Sequence, residues 1–164
     1  MRTVIGLYLG RSALKLVACW QQGGQARRAR VSFPSSVAPA RRLVGGEESR
    51  AAQEDTVVVD GQAYFIGRTA TLQAGDRMQG GFNDQWLFTP EHGALLKGAL
   101  DKAAAAGVPD PHSAEVVVGL AGRSFVPSND EYLAALRRHL PKASQTVFPQ
   151  PADSVWPVRF ECCE

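Results

Sequence analysis

Val4-Ile5-Gly6-Leu7-Tyr8-Leu9-Gly10-Arg11-Ser12-Ala13-Leu14-Lys15-Leu16-Val17 reads as an apolar strand, a tight turn at Gly10–Ser12 and a second apolar strand. Two strands joined this closely form an antiparallel hairpin, and Gly10 is expected to supply the positive φ that such a turn often needs. Two polar side chains follow the glycine, Ser12 and Lys15. A turn offering backbone N–H groups, a hydroxyl and an ammonium is suited to holding phosphate. On spacing alone, an ordinary hairpin that happens to carry a glycine and a lysine is the commoner reading.

Outward from this hairpin, Thr3–Leu9 and Ala13–Trp20 are its strands, Gln21–Gln25 is a Gly-rich turn, and Ala26–Phe33 is a third strand ended by Pro34. Three strands with short turns make an antiparallel meander. Pro39–Asp55 has few large apolar residues and is expected as a surface loop. Arg27, Arg28, Arg30, Arg41 and Arg42 give a local basic bias without interleaved aromatics beyond Phe33, so a solvated face is favoured over a nucleic-acid patch. Thr56–Ile66 is a hairpin turning at Asp60-Gly61, and Thr69–Ala74 a short helix. Met78–Phe88 is expected as a loop, with Trp86 and Phe88 exposed.

Thr89-Pro90-Glu91 is a helix start: a capping hydroxyl, proline at the first helical position and an acid at the positive end of the dipole. Leu95, Leu96, Ala99, Leu100, Ala103 and Ala106 give its apolar face, and Gly107 stops it. Glu115–Leu120 is a β-branched run expected to be buried on both faces. Ser128–Leu140 is a helix with Tyr132, Leu133, Leu136 and Leu140 at helical spacing, Gln145–Phe148 a last short strand, and Ala152–Trp156 the start of a helix cut at Pro157. Meander, inserted hairpin, helix, strand, helix, strand is the layout of a ribonuclease H-like α/β layer, with right-handed crossovers joining the later strands.

A chain of 164 residues, 45% hydrophobic and 21% charged, can bury a core of its own. A net charge of +2 is too small to argue for a nucleic-acid or membrane surface. Cys19, Cys162 and Cys163 are no disulfide framework, which points to a reducing compartment, and the scattered His92, His112 and His139 suggest no metal site. No apolar run is long enough for a transmembrane helix. Leu16-Val17-Ala18-Cys19 has the form of a lipoprotein cleavage box, but Arg11 and Lys15 interrupt the apolar segment that should precede it.

Together, several stretches resemble the ParM/StbA group of plasmid-segregating actin-like proteins, within the actin–Hsp70–sugar kinase superfamily. Ile5–Lys15 is similar to its first phosphate hairpin, Phe33-Pro34-Ser35-Ser36-Val37-Ala38-Pro39 to its Phe-Pro-Ser segment, and Val59–Gly67 to its small-subdomain hairpin. Val117-Val118-Gly119-Leu120-Ala121-Gly122-Arg123 and Phe148-Pro149-Gln150-Pro151 are similar to two later strand ends. The resemblance implies an actin-type first domain over residues 1–157 with a small β-hairpin subdomain inserted at about 34–88, an atypical tail at 158–164, and the family's second domain absent from this chain.

The same resemblance implies ATP with Mg²⁺, held in a cleft whose first jaw is this hairpin. Gly10 would be the close-approach position, Arg11 and Ser12 would donate to the β/γ-phosphates, Lys15 would neutralise their charge, and Gln150 would orient the attacking water. It also implies filaments of self or of full-length actin-like protomers, a DNA-bound adaptor protein rather than direct nucleic-acid contact, no membrane, and a cytoplasmic setting.

Two departures matter. Tyr8 stands where the family has its metal-associated aspartate, and a phenol is a poor ligand for a hard cation. The missing second jaw removes the other half of the cleft, so hydrolysis by this chain alone is not expected to be efficient. The alternative is a non-catalytic remnant or interaction module that binds filaments of a full-length relative. Trp86, Phe88 and the Pro39–Asp55 loop would be its contact candidates, unless they only cover the core. A sugar-kinase, cell-division or pilus-assembly branch of the superfamily stays open, as does the choice of ATP or GTP.

Overall fold

The computed structural model describes residues 2–10, 12–43, 45–74, 84–120, 129–140 and 142–147. Strand β1 (Thr3–Leu9) turns directly into β2 (Ala13–Gln22), and β2 turns through Gly23-Gly24 into β3 (Gln25–Pro34). These three form the expected antiparallel meander, with Leu9 opposite Leu14 and Leu14 opposite Phe33. Strands β7 (Glu115–Leu120) and β8 (Ala143–Val147) add in parallel on the other side of β1, giving a five-stranded sheet of order β3-β2-β1-β7-β8.

Two helices carry the crossovers, α3 (Pro90–Ala105) before β7 and α4 (Asn129–His139) before β8. Both crossovers step in the same direction across the sheet, so right-handed connections lay both helices on one face. Ile5, Leu7, Leu9, Leu14, Leu16, Ala18, Val116 and Val118 point to that face and are buried against Leu95, Leu96, Leu100, Tyr132, Leu136 and Leu140. The opposite face of the sheet is less covered, with Val4, Tyr8, Val17, Cys19 and Val117 half-buried and Lys15 exposed. Strand β7 therefore alternates rather than being equally buried on both sides. The helix starts as its sequence dictates: the Thr89 hydroxyl accepts from the His92 N–H and Pro90 occupies the first helical position.

The segment between β3 and α3 departs from expectation in two ways. The hairpin of β5 (Thr56–Val59) and β6 (Gln62–Ile66) gains a third strand, β4 (Val37–Pro39), which pairs with β6. Three residues are too short for an alternating pattern to declare itself. The expected Pro39–Asp55 loop also contains helix α1 (Gly46–Glu54). Its Glu, Arg, Ala and Gln residues are good helix formers, but Ala52 is its one buried position among those described. A helix that buries only an alanine leaves no apolar stripe to read.

Helix α2 (Gly67–Gln73) starts two residues earlier than the sequence suggests. Within the expected Met78–Phe88 loop, Asp84–Phe88 forms a 3₁₀ turn. Trp86 there is half-buried against the core rather than exposed, while Phe88 remains 38% exposed. The last strand covers Ala143–Val147 rather than 145–148, with a register shift opposite Val116/Val117.

One face of the small sheet, with Val37, Val57, Val59, Tyr64 and Ile66, joins the main core. Its other face buries Ala38 and Phe65 with Ala52 of α1 and Ala70 of α2. Helix α3 is thus packed between two sheets, and Gly98 marks the contact. A Cβ there would lie 2.1 Å from Ile66 Cδ1 and 3.2 Å from Val57 Cγ2. Only hydrogen at that position lets the small sheet sit this close.

Candidate functional site

The β1–β2 turn closes on itself by a hydrogen bond from the Gly10 N–H to the Ala13 carbonyl, 3.1 Å. A Cβ at position 10 would fall 2.7 Å from that carbonyl oxygen and 2.9 Å from Tyr8 Cε1. The turn therefore needs glycine for lack of room for a Cβ and not, as expected, for a positive φ, since Gly10 is not among the glycines with left-handed backbone.

Ser35, just past β3, holds the turn from below. Its hydroxyl donates to the Gly10 carbonyl at 2.6 Å, and its N–H donates to the Ser12 carbonyl at 3.1 Å. Two carbonyl groups of the turn thereby have protein donors. Ser12 and Lys15 are exposed there. Cross-strand register places Lys15 opposite Tyr8, and parallel register places Gly119 beside Tyr8. Lys15, Tyr8 and Gly119 form a row on the less covered face of the sheet, at the end where the turn lies.

Of the residues expected at the site, Gly10 and Ser12 lie between β1 and β2, and Lys15 lies on β2 opposite Tyr8. Arg11 and Gln150 lie outside the described residues. Ser35 and Gly119 were not among the expected site residues. The Phe33-Pro34-Ser35 run carried the signal for Ser35, since a hydroxyl directly after a strand that neighbours the hairpin can reach its turn.

The donor set, an ammonium and a hydroxyl with no carboxylate on the described hairpin, suits phosphate. It does not suit Mg²⁺, which takes oxygen ligands and above all carboxylates. Among the described residues, no group of three His, Cys, Asp or Glu side chains is placed to hold a metal ion.

A second polar cluster fixes how the small sheet meets α3. Lys102 of α3 pairs with Asp55 at 2.5 Å, with both side chains largely shielded, and lies 5.6 Å from the centre of the Phe33 ring. The other Asp55 oxygen accepts from the Thr69 N–H at 3.1 Å and from its hydroxyl at 2.7 Å. No side chain of its own caps α2, so Asp55 does this from outside.

A third cluster is buried at the start of α3. The His92 ring meets Trp86 edge-on at 4.9 Å and lies 6.2 Å from Tyr132. Burial holds the His92 pKa down to about 3, with His139 a lesser cause. Burial likewise pushes the Tyr132 phenol far up.

The chain belongs to the family of actin-like proteins, N-terminal domain, whose pattern it matches over residues 6–160. No curated protein matches it significantly. Among solved structures it is similar to a non-polymerising mutant of MamK bound to AMPPNP, at 13% identity over 88% of this chain and 40% of that one, with a TM-score of 0.49. It is also similar to Ta0583, an archaeal actin homologue, at 16% identity over 90% of this chain and 44% of that one, TM-score 0.49. A third is a non-polymerisable quadruple mutant of pCBH ParM, at 18% identity over 84% and 38% of the two chains, TM-score 0.49. The chain spans 38% to 44% of the length of these three structures. Among the described residues, no helix is long and apolar enough to cross a membrane.

Proposed function

We propose that this chain supplies the first phosphate-binding jaw of an actin-like nucleotide cleft, of the plasmid-segregation type. The observation that carries the reading is the β1–β2 turn with its Gly10 and Ser12 carbonyls bonded to Ser35, and with Ser12 and Lys15 exposed. Lys15 neutralises phosphate charge, Ser12 donates its hydroxyl, and Gly10 keeps the turn tight. Arg11 adds a further donor and Gln150 orients the attacking water. Phosphoryl transfer depends mainly on such positioning and charge stabilisation, so the chemistry belongs to the ATP and the residues hold it. The assembled protein forms filaments with copies of itself or full-length actin-like protomers, and reaches DNA through an adaptor.

Tyr8 favours a second reading. With a phenol where a carboxylate would place Mg²⁺, the chain is an interaction module that joins filaments of a full-length relative without turning over nucleotide. Titration with a fluorescent, non-hydrolysable ATP analogue, with and without Mg²⁺, tests the first reading on the natural chain and on Tyr8→Asp. Saturable binding that gains Mg²⁺ dependence in Tyr8→Asp supports the phosphate jaw; no gain counts against it. Co-sedimentation with filaments of a full-length relative tests the second, which fails if the chain neither pellets with them nor inhibits their growth.

A further inference from the structure

Strand β3 is an outer strand of the large sheet. All ten of its residues, Gln25–Pro34, register against β2, and no described strand pairs with its other side. Its outward row of N–H and C=O groups is long for an edge, about 33 Å at the usual rise per residue. Gln25, Ala26, Arg27, Arg28, Arg30, Ser32 and Pro34 are exposed.

Three of these are arginines, and among the described residues none of their guanidinium groups forms an ion pair or hydrogen bond. Register sets Arg28 opposite Cys19 and Arg30 opposite Val17, on the face that also bears Lys15. Arg27, opposite Trp20, is on the helix-covered face. The edge thus carries cations on both sides of its backbone, with Arg28 and Arg30 about 7 Å apart by strand geometry. The small Ala29, between Arg28 and Arg30, adds no bulk beside the main chain.

Charges on an edge protect it from pairing with copies of itself, because two such edges would set arginine against arginine. The same charges favour an acidic strand. Its main chain would pair with the open row, and alternate carboxylates would meet the guanidinium forks two by two. Nucleic acid would engage the arginines but leave the main-chain row unused, and a net charge of +2 gives it little long-range attraction.

We infer that β3 is a docking edge for an extended acidic segment of a partner protein, which adds as a sixth strand with alternate carboxylates on Arg28 and Arg30. The test uses the full chain and a fluorescein-labelled heptapeptide that alternates glutamate with valine, followed by fluorescence anisotropy. Saturable binding is expected. The double variant Arg28→Glu, Arg30→Glu should weaken it at least about tenfold, since each lost charged hydrogen bond is worth more than a neutral one. A second peptide N-methylated at every residue keeps the charge and removes the N–H donors of both edges, and should weaken binding to the unmodified chain by a similar factor. Equal affinity for the N-methylated peptide overturns strand addition, tighter binding of a single-stranded oligonucleotide overturns the choice of partner, and no binding of the parent peptide overturns the docking edge itself. The N-methylated comparison stands even if the double variant fails to fold.

Discussion

The Ser35 hydroxyl donates to the Gly10 carbonyl at 2.6 Å from a position only 4% exposed to solvent. This bond joins the chain leaving β3 to the turn of the β1–β2 hairpin. Ser35→Ala removes the donor and leaves the shielded carbonyl without its side-chain partner, at a cost of about 1–2 kcal/mol. Thermal unfolding should show the loss. Nucleotide-analogue affinity should fall further than stability alone explains, because the Gly10 carbonyl is no longer held by Ser35.

Asp55 should matter more to stability than Lys102. Lys102→Ala leaves Asp55 still accepting two hydrogen bonds from Thr69, whereas Asp55→Ala removes the cap of α2 and leaves the Lys102 ammonium only the Glu54 carbonyl and the Phe33 ring. Expected costs are about 1–2 kcal/mol for Lys102→Ala and about 3 kcal/mol for Asp55→Ala. A double-mutant cycle by urea unfolding should give a coupling energy clearly above the experimental error; simple additivity would contradict the shielded pairing.

Gly98→Ala tests the seat of the small sheet on α3. In an exposed helix this change would stabilise by about 1 kcal/mol. Here the new methyl would meet Ile66 Cδ1 at 2.1 Å, so Ile66 must leave its place or the small sheet must shift. Overpacking of this kind costs about 1–3 kcal/mol, and net destabilisation is expected in a melting experiment. A higher melting temperature would show that the contact yields easily.

The pH dependence follows from His92. Its pKa drops from 6.5 to about 3 in the folded chain, so the folded state keeps the ring neutral while the unfolded chain takes up a proton. Stability from this group is complete above pH 6.5 and is lost as the pH falls from there towards 3, by about 1.4 kcal/mol per pH unit between the two values. His139 acts in the same direction: burial and then Arg138 lower its pKa, and Asp60 opposes them. Urea midpoints measured from pH 7.5 to pH 4 should decline with this slope, and His92→Leu should flatten the decline. An unchanged slope in the variant would place the acid sensitivity elsewhere.

The β1–β3 meander is readable from the sequence because its strands are long and end at turn residues such as Gly10 and Gly23-Gly24. Helix α3 was readable because Thr89, Pro90 and Gly107 punctuate it. Helix α1 and strand β4 were not: one buries little beyond Ala52, and the other spans only Val37–Pro39. Trp86 was misread as exposed because its partner, His92, is a polar residue whose burial no pattern announces. At the site, Gly10, Ser12 and Lys15 were visible as neighbours in sequence. Ser35 was hidden as a site residue because its role arises only when β3 delivers it under the turn.

Amide chemical-shift mapping by NMR, with a non-hydrolysable ATP analogue titrated into the ¹⁵N-labelled chain, tests the phosphate jaw most directly. Saturable shifts should be largest at Gly10, Ser12, Ala13 and Lys15, with smaller ones at Ser35 and Gly119, and Lys15→Ala should abolish them while leaving the rest of the spectrum in place. Shifts confined to other parts of the chain, or undiminished in Lys15→Ala, would contradict the assignment of the β1–β2 turn as the nucleotide's phosphate site.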